Sequence, residues 1–139
     1  MTRRAIAIGD IHGSAQALAA LIEAIAPTKD DVIVLLGDYV DRGPDSSGVV
    51  DLLIKLVEHC QVVPLLGNHE AMLIDSHESP DCFEFWQRCG GYETLESYGG
   101  SLSQIPPMHL AFFHGCRRFY ETDSHFMVHA NYDPILPLD

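Results

Sequence analysis

Three short apolar runs punctuate the first seventy residues, and each ends in glycine and a polar cluster: "AIAIGD" (5–10), "DVIVLLGD" (31–38) and "QVVPLLGN" (61–68). Unbroken runs of this length, rich in Val, Ile and Leu, suit strands buried on both faces. Between the first two lies "SAQALAALIEAIAP", where Leu18, Leu21, Ile22 and Ile25 recur at helical spacing and Pro27 closes the stripe. Between the second and third lies "PDSSGVVDLLIKLVEHC", helical again, with Pro44 suited to a first turn. Asp10 to Asp38 is 28 residues and Asp38 to Asn68 is 30, the length of one strand–helix–strand unit. The pattern predicts a βαβαβ half with parallel strands. Their carboxyl ends would share one edge, where such sheets place ligands.

The second half reads as mostly helical. "CFEFWQRCGGYETLESYGG" predicts two short helices divided at Gly90-Gly91, with its aromatics in the core. "PPMHLAFFHGC" predicts a helix opened by prolines, and "FYETDSHFMVHA" a β-hairpin turning at Thr-Asp-Ser. No linker, low-complexity tract or repeat intervenes, so residues 1–139 read as one α/β domain.

Composition narrows the function. An apolar share of 47% belongs to a globular protein. A net charge of −12, with eight Lys and Arg and no basic run longer than Arg3-Arg4 or Arg117-Arg118, argues against nucleic-acid binding. No segment approaches the ~20 apolar residues of a membrane span. "AIAI" is too short for a signal-peptide core. Cys60, Cys82, Cys89 and Cys116 form no C-x-x-C, so reduced thiols and a cytoplasmic location are expected.

The candidate chemistry sits in "GDIHG" (9–13), "GDYVDRG" (37–43) and "GNHE" (67–70). Asp10 and His12 are two apart, so an extended backbone would aim both to one side. Asp38 and Asn68 follow the other two strands, and neighbouring strands lie about 4.8 Å apart. Carboxylate, amide and imidazole without sulfur favour Mn²⁺, Fe or Zn²⁺. A lone Gly-Asp is ordinarily a turn or helix cap. Three such clusters at successive strand ends predict a shared metal site.

Together "GDIHG…GDYVDRG…GNHE" resembles the signature of the phosphoprotein phosphatase (PPP) family of calcineurin-like metallophosphoesterases. "DRGPDSSGVVDLL" and "VHANYDP" resemble its bacterial serine/threonine-type branch. The resemblance implies an α/β sandwich and two divalent metal ions, with Mn²⁺ foremost. Asp10 and His12 would bind the first ion, Asp38 would bridge both, and Asn68 and His129 would bind the second. His69 would be the general acid, oriented by Asp41. Arg42 would hold the phosphate with Asn68, Glu70 would support the ligands from behind, and Arg88 is a candidate to face substrate. Two cations about 3.5–4 Å apart can generate a hydroxide and clamp phosphoryl oxygens. A departing alkoxide needs a proton, which imidazole supplies. His125 shares a strand face with His129 but lies roughly 13 Å away, too far to join it. His59, His77, His109 and His114 read as surface or core-edge residues.

Two departures from that family shape the expectations. Leu66 stands where many relatives carry a second phosphate-binding arginine. The chain also runs only ten residues past His129, whereas complete members continue into strands that supply one more histidine and one more arginine. The expectations are an incomplete second sheet, an exposed edge able to pair with a second copy, and a weak second metal site. Three activities compete: hydrolysis of phosphoprotein or small phosphate esters, hydrolysis of dinucleoside tetraphosphates, and a silent remnant that binds phosphate or a partner.

Overall fold

The structure is a computed structural model that describes residues 4–137, so residues 1–3 and 138–139 of the expected domain lie outside the described residues. Strands β1 (Ala5–Ile8), β2 (Val32–Leu35) and β3 (Gln61–Pro64) form a parallel sheet in the order β1-β2-β3. Their register pairs Ile8 with Leu35 and Leu35 with Pro64, so the three polar clusters emerge at one edge. Helices α1 (Ala15–Ile25) and α2 (Ser46–Leu56) make the two crossovers. The sequence pattern placed these elements correctly. Pro44 stands just outside α2, whose cap is Asp45 accepting from the Gly48 N–H at 2.8 Å.

Burial on both faces holds for β2 alone. All four of its residues are buried, while β1 exposes Ala5 and Ala7. The reason is placement: β1 is an edge strand, and the hairpin β4 (Phe119–Glu121) and β5 (Phe126–Val128) lays Tyr120 and Met127 over Val32, Val34, Val63 and Leu65. Leu21 also departs from the expected stripe, at 42% exposure, because α1 packs through Leu18, Ile22 and Ile25. The main core lies on the other face, where Ile33, Leu35, Val49, Leu53 and Leu56 meet Trp86, Leu95 and Phe113.

The helical second half is α3 (Asn68–Asp75), α4 (Pro80–Trp86), α5 (Tyr92–Ser97) and α6 (Pro107–His114). Between α4 and α5 the chain kinks over Gln87–Gly91, where Gly90 leaves helical geometry at φ 113°. Past α6, Arg117 bonds Pro64 and Leu66 through backbone, covering the free side of β3 and leading into the hairpin. The hairpin delivers His129 to the edge where the three clusters meet.

An ion pair between the half-exposed Arg4 and the buried Asp31 closes the opposite end of the sheet. Arg4 donates from Nε and Nη2 to Asp31 at 2.9 and 2.6 Å, and the Thr28 N–H adds a bond at 2.7 Å. The Arg4 guanidinium, chiefly, holds the Asp31 carboxyl well below the usual carboxylate range. A depressed carboxylate contributes stability above its unfolded value, near 3.9, and loses it as pH falls. Asp31→Asn is therefore expected to lower the urea midpoint at pH 7 and to differ less from the wild type at pH 3. Urea titrations at both pH values check this; a gap that widens on acidification would contradict it.

Candidate metal centre

Four residues of the loops after β1 and β2 occupy left-handed backbone: His12 at φ 43°, Asp38 at 56°, Asp41 at 72° and Arg42 at 66°. Non-glycine residues rarely adopt this conformation, and its concentration at one spot marks a site whose surroundings enforce it. Glycine does the same work at Gly37, φ 100°. A Cβ there would come within 2.7 Å of both the Gly67 Cα and the His129 ring. Only a bare backbone lets the two loops and the hairpin converge.

Glu70 ties those loops together. Fully buried in the first turn of α3, its carboxylate accepts the N–H groups of Tyr39 at 2.7 Å, Asp38 at 2.8 Å, Gly67 at 3.1 Å and Val40 at 3.3 Å. Burial pushes the Glu70 carboxyl up to about 7, against the pull of those donors. Tyr39, also fully buried, donates to the Leu65 carbonyl at 2.6 Å and so anchors the same loop to β3.

Asp38 stands at the centre. Its Oδ1 accepts the His69 N–H at 3.1 Å, leaving Oδ2 at 3.7 Å from His12 Nε2 and 3.4 Å from His129 Nε2. Both histidines are oriented alike. His12 Nδ1 donates to the Val40 carbonyl at 2.8 Å, and His129 Nδ1 donates to the Leu36 carbonyl at 2.7 Å. With Nδ1 spent as donor, each ring aims its Nε2 at Asp38. Asn68 Oδ1 lies 2.9 Å from His129 Nε2. Carboxylate, amide oxygen and imidazole nitrogens thus converge, and ring N–H groups tied to carbonyls are the usual support of metal-binding histidines. The residues fit a divalent metal.

The structure brings Asp10, His12, Asp38, Asn68 and His129 to one place. Ligand atoms of Asp10, Asp38 and His129 lie within 4.8 Å of one another, as do those of His12, Asp38 and His69. The alternation that would aim residues 10 and 12 alike belongs to extended backbone, and His12 has already left it.

His69 is 2% exposed and sits edge-on to His12, ring centroids 4.8 Å apart. Its Nδ1 is 2.7 Å from Asp41 Oδ2, which leaves Nε2 for the site. Asp41 is fully buried. Burial raises its carboxyl, while bonds from Thr94, His69 and Trp86 oppose that rise. Arg42 is exposed, and its Nη1 reaches 3.5 Å from His12 Nε2. Arg88 points to solvent, its side chain 71% exposed and 3.5 Å from Glu84. The segment meets the site through Gly90 instead, whose carbonyl accepts the Arg42 N–H at 3.0 Å. Trp86, Thr94 and Ser46 also reach Asp41, and the sequence reading overlooked all three. The signal lay in Gly90-Gly91, since glycines inside a helical pattern mark close backbone approach.

Carboxylate, amide and imidazole groups gathered at the strand ends of a parallel sheet make a candidate divalent-metal site on an α/β scaffold. Residues 3–138 match the calcineurin-like phosphoesterases, and the chain belongs to that family. The family uses a dinuclear divalent-metal centre. The chain is 43% identical over 68 residues to the symmetrical bis(5'-nucleosyl)-tetraphosphatase of Wigglesworthia glossinidia brevipalpis, covering 48% of this chain and 24% of the relative. It is 34% identical over 85 residues to serine/threonine-protein phosphatase 2 of Escherichia coli strain K12, covering 60% and 37%. A solved structure assigned as a diadenosine tetraphosphatase superposes with a TM-score of 0.68 at 28% identity, over 96% of this chain and 53% of that one. The matches span well under half the length of these curated relatives. No helix among the described residues is long and apolar enough to cross a membrane.

Proposed function

We propose that the chain is the metal-binding part of a Mn²⁺-dependent, cytoplasmic phosphomonoesterase of the serine/threonine-phosphatase type. The observation that carries this reading is the buried pair of His69 and Asp41, 2.7 Å apart at the edge of the metal centre. A seryl or threonyl alkoxide is a poor leaving group and needs a proton as the bond to phosphorus breaks; an imidazole held by a carboxylate is suited to give it. In this reading Asp10, His12, Asp38, Asn68 and His129 hold two ions. When bound, the ions supply positive charge to the phosphoryl oxygens and make water a stronger nucleophile. Arg42 orients the phosphate through its guanidinium. His69 Nε2 passes its proton to the departing oxygen, and Asp41 keeps Nδ1 protonated and the ring in place.

A second reading, hydrolysis of dinucleoside tetraphosphates, is supported by the 43% identity to a symmetrical tetraphosphatase and by Leu66 in place of a second arginine. The two differ in what leaves. A nucleotide phosphate departs without needing a proton as badly as an alkoxide does. His69→Asn is expected to slow hydrolysis of a phosphoserine peptide about 100-fold and of diadenosine tetraphosphate far less. Steady-state rates on both substrates with Mn²⁺ test the reading. A wild type that turns over the tetraphosphate and ignores the peptide would replace the first reading with the second.

A further inference from the structure

We infer that Trp86 and Thr94 are positioning residues of this site: together they fix the Asp41 carboxylate, and through it the orientation of His69. The inference rests on the reading of His69 as general acid. Asp41 Oδ1 accepts the Thr94 hydroxyl at 2.7 Å and the Trp86 indole N–H at 3.1 Å, while Oδ2 accepts the same N–H at 2.9 Å and His69 Nδ1 at 2.7 Å. Asp41, Trp86 and Thr94 are all fully buried. With the carboxylate fully buried, its orientation is set by those three donors.

The proton count leaves no freedom. A threonine hydroxyl has one hydrogen, and here it goes to Asp41 Oδ1. The Thr94 oxygen must then accept from its other neighbours, the Asp41 N–H at 2.8 Å and the Ser46 hydroxyl at 2.9 Å. Backbone and side chain of Asp41 are thus gripped by one hydroxyl, which turns one way only. The indole N–H is shared across both carboxylate oxygens and fixes the plane of the group. With that plane fixed, Oδ2 meets His69 Nδ1, and Nε2 faces the reacting phosphate.

The segment that carries these groups is shaped for the purpose. Trp86, Gly90 and Thr94 follow one another at four-residue intervals and all reach residues 41–42. The kink at Gly90 brings its carbonyl to the Arg42 N–H, and Gly91 lies so close under the indole that a Cβ would overlap the ring. The cap segment therefore sets both Arg42, through the Gly90 carbonyl, and the Asp41–His69 pair.

The test compares leaving groups. Trp86→Phe keeps the ring and loses the N–H; Thr94→Val keeps the shape and loses the hydroxyl. Each is expected to lower kcat for phenyl phosphate roughly tenfold, with KM unchanged, and for p-nitrophenyl phosphate far less, because its leaving group needs little protonation. Thr94→Ser should return most of the lost rate. Trp86 is the sole tryptophan, so its indole N–H gives a single nitrogen-correlated NMR resonance, expected to move in Thr94→Val and return in Thr94→Ser. His69→Asn is the reference. If His69→Asn discriminates between the esters and the other variants do not, the inference fails while the functional reading stands. Equal losses on both esters would mean that Trp86 and Thr94 only support the fold, which also overturns it. If His69→Asn itself fails to discriminate, the acid role is wrong and the inference goes with it.

Discussion

Glu70→Ala is expected to abolish cooperative folding or to lower stability by roughly 4–8 kcal/mol, the largest single loss of stability anticipated in this chain. The figure comes from the four N–H groups that this carboxylate satisfies, on Asp38, Tyr39, Val40 and Gly67. All four residues are buried, so water cannot replace the lost acceptor. An orphaned buried donor costs about 1–3 kcal/mol, and domains are stable by only about 5–15. Glu70→Gln should be milder, because one carbonyl oxygen remains for Tyr39 and Val40. Its amide would nonetheless set a donor against the donors of Asp38 and Gly67. Urea unfolding followed by circular dichroism distinguishes the cases. A Glu70→Ala protein with a wild-type midpoint would show that the loops are held by something else.

That dependence explains why the motif clusters were legible in sequence while part of their arrangement was not. The strands and crossovers are local: a run of Val, Ile and Leu announces β2, and the interval from Asp10 to Asp38 to Asn68 announces the parallel repeat. His129 was legible through the family resemblance of the block that carries it, and the hairpin brings it beside Asp38 and Asn68. What remained hidden depends on contacts across long separations. Trp86 bonds a carboxylate 45 residues back, and Thr94 one 53 residues back, with no periodicity to betray either. The indole looked like core because it is core; only its N–H has a second task. Arg88 lies exposed beside Glu84, while the segment that carries it meets the site through the Gly90 carbonyl. The left-handed backbone at His12 was hidden as well, since no composition rule foresees it.

Asp38→Asn is expected to have the largest effect on metal binding and turnover, because among the described residues Asp38 is the one common to both groups of candidate donors. The carboxylate Oδ2 lies 3.7 Å from His12 Nε2 and 3.4 Å from His129 Nε2. An amide there removes a full negative charge at the point that a pair of dications would share, and turns either an N–H or a weaker oxygen toward them. His129→Ala, in contrast, touches one group and leaves the other whole. At a hundredfold excess of Mn²⁺ over its dissociation constant, ligand linkage adds about 2.7 kcal/mol to the wild type. For a domain of this size that raises the thermal midpoint by roughly 8 °C. Asp38→Asn should shrink the rise to about 2 °C or less and cut phosphate-ester hydrolysis by on the order of 10⁴, since metal stabilisation of the transition state is worth several kcal/mol. Fold and metal dependence separate cleanly in this experiment. In EDTA the variant should melt close to the wild type, because the backbone N–H of Asp38 still donates to Glu70 and an amide oxygen can still accept from the His69 N–H. A variant that keeps the wild-type response to Mn²⁺ would show that Asp38 is not shared, and would return the site to two separate groups of ligands.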